Sequence, residues 1–232
     1  MMKRILFVLL FGITLVACEK STENTMIVNG NIKGLKKGTL YLQKLQDSTI
    51  ANVDSLEIKG DGKFSFSTEV GDPEVFYLYL KKEDNNDIND RINFFGESGT
   101  IVINTAWNTF DTDVKISGSK SHEKLLEFYD MVSKFNIREL ALAQQAVLPE
   151  YQEDSVALDS IQSLINKNTV SRYRYALNFG LNNGDSYATP YIMLTEAREA
   201  NPKYLDSIYK GLSPEVAASK YGKKFKDFLD NN

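Results

Sequence analysis

From Met26 to about Ser117, apolar and polar positions alternate with a period of two, and turn signals break the alternation every 8 to 12 residues. That pattern predicts short strands over 26–33, 39–45, 51–58, 63–68, 75–81, 91–96, 100–104 and 114–117. The clearest turn is Asp61-Gly62 between Leu56, Ile58 and Phe64, Phe66. An Asp-Gly pair suits the positive φ values of a type I′ hairpin, which would place those four side chains on one face. Gly71-Asp72-Pro73 marks another break, because proline fixes φ and cannot donate to a ladder. After Gly118-Ser119 the period changes to 3.6. Leu125, Phe128, Val132 and Phe135 make one stripe of an amphipathic helix, with Ser119 or Ser121 available to cap it and Pro149 to close the region. A second helix is expected from Asp154, with Leu158, Ile161 and Ile165 on one face, to the Gly180 to Gly184 loop. Three shorter ones are expected over 186–200, 202–210 and 214–229, the last two opened by proline. The fold class is therefore α+β: an N-terminal antiparallel β-sandwich or open barrel over 26–118, followed by a C-terminal helical part over 119–232. No repeat and no linker richer than a turn separates the halves, so they are expected to pack together.

The segment ahead of the strands has its own pattern. Lys3 and Arg4 precede an apolar run from Ile5 to Val16, which ends at Leu15-Val16-Ala17-Cys18. A basic start, a short apolar stretch and a small residue before the cut are the layout of a secretory signal. The run is shorter than the roughly 20 residues a membrane-spanning helix needs. The tetrapeptide resembles the lipobox of bacterial lipoproteins. That resemblance implies a signal peptide over 1–17, diacylglyceryl attachment to the Cys18 thiol, and a short tether over 18–25. Two or three acyl chains, at about 0.8 kcal/mol per buried methylene, would hold such a protein to its membrane permanently. The expected location is the cell envelope, on the periplasmic side of the outer membrane.

Removing residues 1–17 from the 232 leaves 215 and moves the net charge from −4 to −6, since Lys3 and Arg4 leave with the signal. Such a charge gives no attraction to phosphate backbones, so nucleic acid is not an expected partner. Cys18 is the only cysteine, which excludes disulfides and thiolate catalysis once it is lipidated. No later apolar stretch reaches spanning length.

The candidate chemical groups read mostly as scaffold. His122, the single histidine, stands just inside a helix start, where a surface or capping role is expected. Gly118-Ser119 lacks the second glycine of a nucleophile elbow. The run from Asp84 through Asp87 to Asp90 concentrates oxygen ligands of the kind calcium prefers, but lacks the Gly and Glu that an EF-type loop needs, and reads as a solvated hairpin tip. Glu97, before Gly99, is expected to end a strand, with no partner acid at any recognisable spacing. Arg172-Tyr173-Arg174-Tyr175, with Tyr187 and Tyr191, could form an aromatic and cationic surface; helix-packing tyrosines with solvated arginines are the expected reading. No residue is assigned to catalysis, to a cofactor or to a metal.

Several segments in order resemble the DUF4369 domain, found in exported lipoproteins of Bacteroidota. They are Asp54-Ser55 with Asp61-Gly62-Lys63-Phe64-Ser65-Phe66, Asn93-Phe94-Phe95-Gly96-Glu97-Ser98-Gly99-Thr100-Ile101, and Gly118-Ser119 leading into a helix. Asp185-Ser186-Tyr187-Ala188, Leu212-Ser213-Pro214-Glu215-Val216 and Ser219-Lys220-Tyr221-Gly222 look like the helical segment that follows. In that family the domain typically precedes a thioredoxin-like domain in anchored thiol-disulfide oxidoreductases. The present sequence ends at Asn232, where that domain would begin, and contains no Cys-x-x-Cys, so the redox residues have no positions to be carried to. The resemblance implies the non-catalytic half: a tethered binding or accessory module in the envelope. One alternative is an accessory subunit meeting a separate thioredoxin-like protein in trans, and another is a cofactor-free hydrolase with carboxylates brought together by the fold.

Overall fold

A computed structural model describes residues 24–82 and 90–231. The leader, Cys18 and most of the tether lie outside the described residues, as does the acidic run apart from the backbone of Asp90. The alternating segments form β1 (Thr25–Lys33), β2 (Lys37–Gln46), β3 (Thr49–Lys59), β4 (Lys63–Glu69), β5 (Glu74–Lys82), β6 (Asp90–Gly96), β7 (Gly99–Ala106) and β8 (Lys115–Ser117). They make two four-stranded sheets, ordered β4-β1-β7-β8 and β3-β2-β5-β6, and so a sandwich rather than an open barrel. Met26, Val28, Leu40, Leu42, Phe64, Phe66, Leu78 and Ile101 are among the side chains that fill the space between them.

The Asp61-Gly62 turn is not a hairpin. Strand β3 pairs with β2, whereas β4 pairs with β1, with Val28 opposite Phe66, so residues 60–62 carry the chain from one sheet to the other. The positive φ belongs to Gly60, at 100°, and Asp61 and Gly62 do not share it. Gly60 N–H donates to the Lys36 carbonyl and Ile32 N–H to the Gly62 carbonyl, both at 2.9 Å. Ile58, Phe64 and Phe66, joined by the half-buried Leu56, therefore meet one core from opposite sheets instead of lining one face. In β4 the alternate residues Lys63, Ser65 and Ser67 stay exposed, so one face of the strand is buried against the opposite sheet. A second departure is that β1 and β7 run parallel, from Met26 opposite Gly99 to Lys33 opposite Ala106, because the chain crosses between sheets after β6. The remaining ladders are antiparallel.

The helical half comprises α1 (Lys120–Ala146), α2 (Pro149–Gln152), α3 (Ser155–Asn182), α4 (Ala188–Glu196), α5 (Pro202–Lys210), α6 (Pro214–Ala218) and α7 (Lys220–Asp230). Pro149 opens the single turn α2 instead of merely closing α1. The helix expected over 214–229 is split at Ser219, whose ψ of 169° ends α6 and whose hydroxyl accepts from Gly222 N–H at 3.2 Å to cap α7. A second core forms around Phe128, Phe179, Ile192, Met193, Ile208 and Phe225, and it includes Val75 of β5 and Phe95 of β6. Those two side chains stand on the outer face of their sheet, so the helices cover that face and the halves pack together.

Candidate functional site

The chain turns from sheet to helix around Glu97. This residue lies in the two-residue link between β6 and β7, and its carboxylate accepts from Lys120 N–H, from the Ser121 hydroxyl and, at 3.4 Å, from Ser121 N–H. Ser119 caps the same helix by accepting from His122 N–H at 3.0 Å. Amides that would lack partners at the start of α1 are thus taken up by two side chains, one of them an anion at the positive end of the helix dipole. Gly118, at φ 91°, permits the approach: a Cβ there would stand 2.1 Å from the Thr100 carbonyl oxygen.

His122 is buried, only 4 % exposed, contrary to the surface or capping role expected from its position. Its Nδ1 accepts from Phe95 N–H at 3.4 Å. Burial pulls its pKa down from 6.5 to about 4, against the nearby Glu97 charge, which favours the cation. At neutral pH it is a neutral acceptor joining α1 to β6. A groove of about 490 Å³ opens beside this junction, lined by Glu97, Ser98, Lys120, Lys124, Asp185 and Tyr187 among others. Two of its four charged side chains are engaged already, Glu97 with the helix and Lys124 with Glu127 at 2.7 Å.

A second junction was not legible from spacing. Glu74, 7 % exposed at the head of β5, pairs with Lys44 of β2 at 3.4 Å and with Lys220 of α7. The Lys220 ammonium also donates to the Leu45 carbonyl at 3.4 Å. Next to it, Val75 N–H donates to the Tyr221 phenol oxygen at 3.2 Å. The Tyr221 ring packs against Phe95 and Tyr191, with centroids 5.9 and 5.1 Å away. Burial pushes the Tyr221 phenol up, so it stays protonated. The available signal was an acid placed directly after Pro73 and ahead of an apolar strand; its partner 146 residues away left none.

The tyrosine and arginine constellation does not assemble. Tyr175 stacks on Phe128, centroids 5.6 Å apart, and Tyr191 joins Phe95 and Tyr221, while Arg172 lies over Tyr173 and Arg174 is exposed. Among the described residues no three His, Cys, Asp or Glu side chains converge to hold a metal ion. No described helix is long and apolar enough to cross a membrane.

The feature left unpartnered is an arm. Every buried residue of α1 lies between Ser121 and Val132, and beyond Phe135 the helix leaves the core. It is closed through α2 against the first half of α3, in antiparallel register marked by Asn168 donating to the Phe135 carbonyl at 2.9 Å and by Tyr175 on Phe128. The same register puts Val147 opposite Val156. Ile137, Leu140, Val147 and Val156 are 68, 60, 71 and 73 % exposed. The arm also carries a net negative charge: residues 136–168 include Glu139, Glu150, Glu153, Asp154 and Asp159 against Arg138 and Lys167.

One family model matches, over residues 26–125, described as a domain of unknown function (DUF4369). The match takes in both sheets, the Glu97 junction and the first turns of α1, and leaves the arm outside. No curated protein and no solved structure matches the chain.

Proposed function

Residues 26–125 are a DUF4369 domain, and from that premise we propose that the protein is a lipid-anchored envelope lipoprotein acting as a non-catalytic binding or accessory module. The observation that carries the binding role is the arm. A large apolar side chain left in water forgoes about 1.5–3 kcal/mol of transfer free energy, and the arm holds several of them outside both cores. Support for the anchor comes from Leu15-Val16-Ala17-Cys18 behind its basic and apolar leader. Five residues separate Cys18 from Asn24, six steps with a reach of at most about 20 Å, so the sandwich would stand close to the lipid surface. Confinement of that kind raises effective concentration toward neighbouring envelope proteins, and modest intrinsic affinity then suffices. An accessory role in thiol-disulfide exchange is the more particular version of this reading, with a thioredoxin-like protein bound in trans.

The test is purification of the lipidated protein from its own envelope, beside Cys18→Ser and beside a variant with Ile137, Leu140, Val147 and Val156 replaced by Ser. Cys18→Ser should leave the detergent phase. The arm variant should stay anchored but lose a stoichiometric companion. A thioredoxin-like companion would support the particular version. Retention of every companion by the arm variant would remove the arm from the reading, and Cys18→Ser remaining in detergent would remove the anchor.

A further inference from the structure

We propose that the end of the α1–α3 arm is a docking knob for a protein partner that presents an apolar cleft with a basic rim. This rests on the binding-module reading and adds the chemistry of the partner. Ile137 and Leu140 stand on one side of α1 at i and i+3, and Val147, its C-cap residue, and Val156, in the first turn of α3, stand exposed at the far end, so apolar side chains mark both the flank and the tip of the arm. Around it stand Glu150, Glu153 and Asp159, all exposed and none paired with a cation among the described residues. Asp154 is engaged otherwise, capping α3 by accepting from Val156 N–H and Ala157 N–H at 3.0 and 3.1 Å.

Charge selects among possible occupants. An anionic bilayer surface repels an arm whose five acids outnumber its two bases, Arg138 and Lys167. Arm-to-arm pairing of two copies sets five acids against five. A cleft ringed by Lys or Arg is attracted over the same range, and its apolar floor removes the valine and leucine side chains from water. Acids at the rim would mainly speed association, and the apolar ridge would slow release.

Two measurements on the full chain test this. In the first, a helical peptide with a leucine face and a lysine face is titrated onto the purified protein, beside the same peptide with every Lys replaced by Glu. The lysine peptide should bind. The glutamate peptide should bind at least about tenfold more weakly, as should the lysine peptide to Val147→Ser/Val156→Ser, which keeps every charge. Equal binding of both peptides, or undiminished binding to the serine variant, would overturn the proposal. In the second, a photocrosslinking phenylalanine derivative replaces Val156 in the native envelope, with the same probe at Lys63 as position control. The expected adduct joins a different protein through a segment carrying Lys or Arg beside apolar residues, and Glu150→Lys/Glu153→Lys/Asp159→Lys suppresses it. An adduct with lipid, with a second copy or with an acidic segment overturns the proposal, as does yield no higher than at Lys63. A companion that copurifies yet crosslinks elsewhere defeats the arm chemistry while leaving the module reading intact.

Discussion

Glu97 and His122 stand on either side of one helix start, and their effects run in opposite directions as pH changes the imidazole. The folded pKa of His122, about 4, lies below its ordinary 6.5, so the unfolded chain binds the proton more readily. Stability is then complete above pH 6.5 and falls as pH drops toward 4, by as much as about 3 kcal/mol from this group alone. His122→Gln keeps an acceptor for Phe95 N–H and removes the titration. Urea unfolding at pH 7 and pH 4.5 should show a smaller loss for His122→Gln than for the native chain; equal losses would refute the assignment. Glu97→Ala leaves the first amides of α1 and the Ser121 hydroxyl without their anion, and should cost about 1–2 kcal/mol in the same assay at neutral pH. Both residues were visible in the sequence, but their roles were not. Position near a helix start says that a side chain can reach the cap, and nothing in local spacing says that a strand will bury it.

Strands and long helices were legible to within a few residues because alternation and 3.6-residue periodicity report which side chains must leave water. Pairing was not legible for the same reason: Ile58 and Phe64 announce burial equally whether their strands are neighbours or face each other across a sandwich. Turn chemistry misled at Asp61-Gly62, where the glycine serves close approach instead of a positive φ. A Cβ at Gly62 would lie 1.9 Å from the Ile32 carbonyl oxygen, so Gly62→Ala must displace backbone on β1. Its expected cost is about 2–3 kcal/mol, above the roughly 1 kcal/mol of an ordinary glycine-to-alanine conformational penalty. Thermal unfolding decides between them, and a shift no larger than that of an exposed-turn glycine would refute the close-approach role of Gly62. The break at Ser219 escaped notice because the apolar rhythm of 214–229 continues through it; the serine that caps α7 also ends α6.

For the whole molecule, the two halves share a core, since Val75 and Phe95 belong to the sheet by backbone and to the helical layer by side chain. One cooperative transition is therefore expected for residues 19–232, seen as coincident melting of strand and helix signals. Residues 24–118 alone would expose the outer face of β5 and β6 and should melt at least about 10 °C lower or bind a hydrophobic dye, and separate transitions in the intact chain would contradict the shared core. Strand β1 carries one more consequence. It lies inside its sheet, held by β4 over seven pairs and by β7 over eight, and the chain enters it directly from the segment that leads back to Cys18. Tension directed along the strand would load both ladders together, instead of peeling them bond by bond. Under the proposed anchoring at Cys18 and binding through the arm, the protein would meet such a load each time the membrane and the partner drift apart.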